Sequence, residues 1–142
     1  MKSGDVMEIT KIIPAKSQMK IIELARNVSL QSTYGDFRHG AVLHSKSNIL
    51  NVSPNQNKFS SFAAMFNKNR KIATLHAEIS CILNQNRETT QNSTVCVVRV
   101  NKKGQILNSK PCEMCQAAMQ FVGIKECIYS CDSEGNFEKM RF

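Results

Sequence analysis

The sequence predicts an α/β domain, a sheet with helices packed on its faces. Three observations lead there. Apolar residues recur at helical spacing in three separate segments. Between those segments lie short runs rich in β-branched residues, the clearest being Val95-Cys96-Val97-Val98. The resulting order is helix, strand, strand, helix, strand, helix, strand, and such interleaving is how a chain covers both faces of one sheet. At 142 residues and 42% hydrophobic content the chain is long enough to bury a core as one domain, residues 1–142.

Residues 1–13 are mixed, and Val6, Ile9, Ile12 and Ile13 fit a strand or a turn of helix equally well. After Pro14, Ser17 reads as an N-cap. Ile21, Leu24, Ala25 and Val28 then form one apolar helix face, ending near Ser32 ahead of Tyr34-Gly35. Phe37 to His44 reads as a strand, and Gly40 inside it marks the close approach of another backbone or of a ligand. Ser45 to Asn48 is a turn and Ile49 to Val52 a second strand, which makes a hairpin. Residues 53–71 are polar, with Phe59, Phe62 and Phe66 spaced through them. They read as a long loop with a short helix near Ser60–Phe66, covering the site, its phenylalanines packed on the core.

Leu75, Ile79, Ile82 and Leu83 give the next helical face, with Thr74 as its cap. The strand through Val95 continues to Val100, Asn101-Lys102-Lys103-Gly104 turns the chain, and Gln105 to Leu107 returns as a short strand. Pro111 suits a helix start, Met114, Ala118, Phe121 and Val122 give that helix its apolar face, and Gly123 follows its end. Glu126 to Cys131 is another strand, and Phe137 to Met140 a last short one.

No apolar run approaches the roughly 20 residues of a membrane span. Met1 to Thr10 carry no signal-peptide pattern, so the expectation is a cytoplasmic protein in a reducing compartment. Net charge is +8, and between Phe37 and Cys112 eleven basic residues face two acidic ones. A positive field there attracts phosphate-bearing substrates, whereas the same charges dispersed would only solvate the surface.

Two stretches carry chemistry, His76-Ala77-Glu78 and Pro111-Cys112-Glu113-Met114-Cys115. His76, Cys112 and Cys115 make three zinc ligands, one Zn2+ per chain, and leave a fourth tetrahedral position for water, the pattern of catalytic rather than structural sites. Both motifs fall at helix starts, where the dipole and free N–H groups favour thiolate over thiol. Zinc lowers the pKa of its water from ~15.7 to about 7. Glu78, two residues from His76, is the candidate proton shuttle and not a ligand. The combination H-x-E…P-C-x-x-C marks zinc-dependent nucleobase deaminases. The competing reading is a structural zinc knot with His39, His44 or another cysteine as fourth ligand, which leaves Glu78 without a role. Cys81, Cys96, Cys127 and Cys131 lie in apolar patterns and read as buried thiols.

On these motifs the chain from Ser17 to Tyr129 resembles the cytidine deaminase-like superfamily. That resemblance implies a three-layer α/β/α sandwich, a central mixed sheet of about five strands flanked by helices, with a core over about 17–131. His39-Gly40-Ala41-Val42-Leu43 resembles the superfamily's first strand. Ile49 to Asn55 resembles its second strand and the loop ending in a sugar-contacting asparagine, a role that passes to Asn55, with Asn51 as the alternative. The backbone N–H of Ala77 is implied to read the base, and self-association into a homo-oligomer is implied as well.

The branch within the superfamily is contested by several features. A histidine ligand at position 76 is unlike the small enzymes acting on free nucleosides. Pro-Cys-Glu-Met-Cys followed by Ala117-Ala118-Met119 is similar to tRNA adenosine deaminases. The 32 residues between Glu78 and Pro111 are closer to cytidine deaminases and to some nucleic-acid editors. Ser80 stands where deoxycytidylate enzymes usually have asparagine. The leading expectation is a deaminase of cytosine in a nucleoside or nucleotide, of CMP/dCMP type. The alternatives are a nucleic-acid-modifying deaminase, acting on cytosine in a single strand or adenosine in tRNA, and a non-enzymatic zinc-stabilised binding module.

Overall fold

A computed structural model describes residues 8–33, 35–66, 74–132 and 135–142, without the side chains of 57–59. Val6, the Phe59 side chain and the part of the 53–71 loop beyond Phe66 lie outside the described residues.

The chain runs β1 (Glu8–Ile12), α1 (Lys16–Ser29), β2 (Arg38–Ser45), β3 (Asn48–Pro54), β4 (Gln56–Phe59), α2 (Ser61–Ala64), β5 (Thr74–Leu75), α3 (Ala77–Ile82), α4 (Arg87–Thr90), β6 (Thr94–Val100), β7 (Ile106–Leu107), α5 (Glu113–Phe121), β8 (Glu126–Ser130) and β9 (Phe137–Arg141). Seven strands form one mixed sheet in the order β1-β9-β8-β6-β2-β3, with β7 paired to β6. β6 and β8 are parallel, as the α5 crossover between them requires, and the other pairings are antiparallel.

The two-residue period of the strands sorts the core into two layers. Ala41, Leu43, Val95, Val97, Cys127 and Tyr129 point to one face, where α2, α3 and α5 supply Ala63, Ile79, Cys81, Met114, Ala118 and Met119. Val42, Cys96, Val98, Val100 and Ile128 point to the other, against Ile21, Ile22 and Ala25 of α1. Burial on both faces explains why β6 reads as an unbroken apolar run rather than an alternation. The result is the three-layer α/β/α sandwich. Its sheet exceeds about five strands because β1 adds an edge and the two-residue β7 a patch.

The backbone that approaches Gly40 is α1. A Cβ at that position would sit 2.3 Å from both the Ala25 carbonyl oxygen and the Ser29 nitrogen. Only glycine lets α1 lie this close, and the ligand alternative for Gly40 falls away.

At the end of the sheet where β2 begins, β6 changes neighbours. β8 pairs with Thr94–Val97, while β7 pairs with Arg99 and Val100. Two serines satisfy the backbone at this junction: Ser109 Oγ donates to the Val97 carbonyl at 2.9 Å, and Ser130 Oγ to the Leu107 carbonyl at 2.7 Å. The site is built at this end.

Several local expectations shift. α1 is capped by Ala15, not Ser17, and α3 by His76, because Thr74 is drawn into β5. The 53–71 segment begins in the last two residues of β3, continues as β4, which pairs with β5, and carries α2 capped by Ser60. Phe62 and Phe66 pack on the core. Phe121 is half exposed, its ring meeting Phe66 at 5.5 Å with Arg87 over it at 5.4 Å. Cys81, Cys96 and Cys127 are buried, but Cys131 is only partly so, since β8 ends at Ser130 and Cys131 enters a turn. Among the described residues no helix is long and apolar enough to cross a membrane.

Candidate active site

Both motifs occupy the same place in their helices. His76 is the N-cap of α3 and Cys112 the N-cap of α5, each with extended backbone and no side-chain capping bond. A cap residue's side chain projects off the helix end rather than along its face, so two helices packed side by side bring their caps together. Cys115, one turn into α5, adds a third donor from a fully buried position. His76 Nδ1 lies 3.6 Å from Cys112 Sγ and 3.4 Å from Cys115 Sγ. A tetrahedral zinc with metal–nitrogen distances of ~2.0–2.1 Å and metal–sulfur distances of ~2.3 Å has nitrogen–sulfur edges of about 3.6 Å, so the spacing fits that ion. The three ligand atoms lie within 4.8 Å of one another, and among the described residues no other histidine, cysteine or acid joins them. His39 and His44 therefore do not close the set, and the zinc-knot alternative has no fourth ligand among the described residues.

Charge within the group follows from these contacts. The Cys115 thiol donates to Cys112 and, with help from His76, pulls the Cys112 thiol down to about 4. Cys115 itself is held well above its ordinary value by that same hydrogen bond and by burial. His76 is raised, chiefly by its hydrogen bond to Cys112. Charge on the Cys112 thiolate and charge on the His76 ring thus favour each other.

Glu78 is 4% exposed and lines a cavity of about 440 Å³ together with His76 and Cys112. Burial pushes its carboxyl up to about 7, against opposing hydrogen bonds from its own backbone N–H and from Cys115 and the pull of His76. Ala77 lines the same cavity; as the first residue of α3 its N–H has no partner within the helix.

Asn55 also lines the cavity. Its Oδ1 accepts from the His39 N–H at 3.1 Å and its Nδ2 donates to the Phe37 carbonyl at 2.9 Å, which fixes the segment leading into β2. Asn51 is not at the cavity wall: its Nδ2 donates at 3.0 Å to the Cys81 carbonyl, one of the terminal carbonyls of α3 that lack a helical partner. The remaining wall comprises Phe37, Gln56, Leu75, Lys110 and His39. His39 stays neutral, burial lowering its pKa to about 4. Strand alternation places His39 on the Ala41 face and so toward α3, a signal present in the sequence. The parts played by Gln56 and Leu75 depend on the β4–β5 pairing across residues 60–73, which no local pattern announces.

A mixed sheet between helical layers, with a histidine and two cysteines gathered at two helix starts beside a buried carboxyl, defines a zinc-binding α/β domain of the deaminase kind. The family model for the cytidine and deoxycytidylate deaminase zinc-binding region matches residues 15–131, and the chain belongs to that family. None of the curated proteins compared with the chain matches it.

Proposed function

We propose that this chain hydrolytically deaminates cytosine carried on a nucleoside or nucleotide, exchanging the ring amine for a carbonyl oxygen from water and releasing ammonia. The observation that carries the reading is Glu78, a buried carboxyl in the cavity wall beside the His76/Cys112/Cys115 group. Those three residues would hold zinc, whose contribution when bound is to acidify a water molecule at neutral pH. Glu78 takes a proton from the attacking water and passes it to the ring nitrogen, then takes the remaining proton of that oxygen as the carbonyl forms and delivers it to the amine, which leaves as ammonia. Burial raises this carboxyl in the metal-free fold, which suits a group that must both take up and release a proton. The Ala77 N–H reads the base edge, Asn55 the sugar, and Lys110 at the wall favours a phosphorylated substrate. The reaction belongs in this reading to nucleotide metabolism. Self-association is part of it too, and the exposed Ile49, Leu50 and Val52 on edge strand β3 support that.

A second reading, deamination within nucleic acid, is favoured by one observation. Beyond Phe37 the cavity adjoins a groove lined by Arg99, Lys102 and Lys103. The test of the primary reading is ammonia release from cytidine, CMP and dCMP by zinc-loaded protein. Glu78→Gln abolishes it while zinc stays at about one per chain; turnover that survives the substitution sinks the proposal.

A further inference from the structure

We propose that the groove beyond Phe37 is a subsite for the nucleotide next to the target base, so that the cytosine is presented within a single-stranded nucleic acid. The inference rests on the deaminase reading above and takes the second of its two substrate classes, nucleic acid.

Phe37 is a wall common to the 440 Å³ cavity and to a second cavity of about 540 Å³. It is 59% exposed although one side of its ring is met by a cation. The Arg99 guanidinium lies 4.3 Å from its ring centroid, the geometry of a cation–π pair. An exposed aromatic ring paired with a guanidinium is a surface on which a base stacks whatever its identity.

The groove is held in shape by backbone contacts between its two sides. Arg99 Nε donates to the Asp36 carbonyl at 3.2 Å, and the Lys102 N–H donates to Asp36 Oδ1 at 3.0 Å. At the far end of the same turn, Arg26 donates to the Gly104 carbonyl at 2.9 Å. The acidic residue of the groove is therefore spent on a backbone amide. Among the described residues the ion pairs engage Lys139 and Arg141, and none engages Arg99, Lys102 or Lys103. Three cations without carboxylate partners beside an exposed ring match a phosphodiester followed by a base.

A mononucleotide does not meet that description. With its base beside Glu78, its sugar at Asn55 and its phosphate at Lys110, it has nothing left to reach into the groove beyond Phe37. A nucleoside triphosphate brings phosphates to the lysines but leaves the ring uncovered. A second nucleotide satisfies both.

The test has a binding arm and a turnover arm on the 142-residue chain. The binding arm uses a fluorescein-labelled ten-residue strand with one central cytosine, in DNA and RNA versions, titrated over a range of salt. Replacing Lys102 and Lys103 with Ala is expected to reduce the salt slope by about 1.4, at about 0.7 per phosphate on a single strand. Phe37→Ala is expected to weaken binding about tenfold, and Phe37→Tyr to keep it, as stacking requires. Both lysines are exposed, so their loss leaves the fold intact. The turnover arm compares dCMP, dCTP and cytosine dinucleotides. Dinucleotides are expected to exceed dCMP at least tenfold in kcat/KM, with that ratio collapsing in the lysine variant. Equal rates on dCMP and dinucleotides overturn the proposal, as does strand binding indifferent to Lys102 and Lys103, or a preference for dCTP over the dinucleotides. Strand binding that obeys the variants with no ammonia from any substrate overturns the deaminase reading and retains the groove.

Discussion

The Nδ1 atom of His76 stands 3.4 Å from the sulfur of Cys115, an approach that joins residues 39 apart in sequence. It is close to the edge length of a tetrahedral zinc site, and it ties the start of α3 to the first turn of α5. A metal held there clamps the two helices, and anything that binds only the folded state stabilises it by mass action. Cys115→Ser is expected to cut zinc from about one per chain to below a tenth, as measured by atomic absorption. A chelator should lower the melting temperature of the parent chain and leave that of Cys115→Ser unmoved. Equal responses of the two proteins to the chelator contradict the assignment.

Glu78 gives metal-free protein a pH dependence of definite sign. Burial is the main cause of its raised carboxyl, from 4.5 to about 7 in the fold. The folded state therefore binds more protons than the unfolded state across that interval. Its contribution to stability is fully present below about pH 4.5 and is lost as pH rises through about 7. Subtracting the denaturation profile of Glu78→Gln from that of the parent, both stripped of metal, isolates this component from the neighbouring thiols. The difference should favour the parent at low pH and the variant above neutrality. A difference that is flat, or that slopes the other way, shows a carboxyl already charged in the fold.

Much of this architecture was legible because strand and helix periods report burial directly. The runs of β2, β6 and β8, the apolar face of α1 and the paired H-x-E and P-C-x-x-C motifs each pointed to the observed layer or group. Helix caps were less legible for a physical reason. The Ser/Thr rule finds helices whose first N–H groups are satisfied by the cap side chain. His76 and Cys112 occupy cap positions without that bond, freeing their side chains to meet each other, so the rule pointed instead to Thr74. Ser60 and Asn86 do cap by hydrogen bonds; the short helix expected near Ser60–Phe66 is α2, whereas α4, four residues long, is too short for a helical period to register. The long-range pairings of β1 with β9 and β4 with β5 lack local turn signals and emerge only from the fold.

Gly40 supplies a prediction on the opposite face from the metal group. A methyl group there meets backbone atoms of Ala25 and Ser29 at 2.3 Å, which no rotamer change relieves. α1 must move away from β2, loosening its contacts with Val42 and Val98. Gly40→Ala is expected to cost about 2 kcal/mol or more in urea denaturation, the scale of overpacking a tight core. Zinc content should stay near one per chain because the displaced helix is not the one carrying ligands. Unchanged stability would mean that α1 lies farther from β2 than described.

Asn51 on β3 and Asn55 just beyond its end stand four residues apart and separate stability from recognition. Asn51 bonds the Cys81 carbonyl away from the cavity wall, so Asn51→Ala removes one hydrogen bond, worth about 1 kcal/mol. Its effect should appear in the melting temperature and leave KM for a cytosine nucleotide within about twofold. Asn55 holds the His39 N–H and the Phe37 carbonyl while lining the cavity. Asn55→Ala releases both backbone groups and lets Phe37 and His39 drift from the wall, besides removing the sugar contact proposed for it. KM is expected to rise about tenfold or more, a loss of the size of one hydrogen bond to substrate. Asn55→Asp keeps the acceptor for His39 but places a carboxylate opposite the Phe37 carbonyl, so it should not restore binding. If Asn51→Ala raises KM and Asn55→Ala does not, the sugar contact belongs to Asn51 and the cavity assignment of these two residues is reversed.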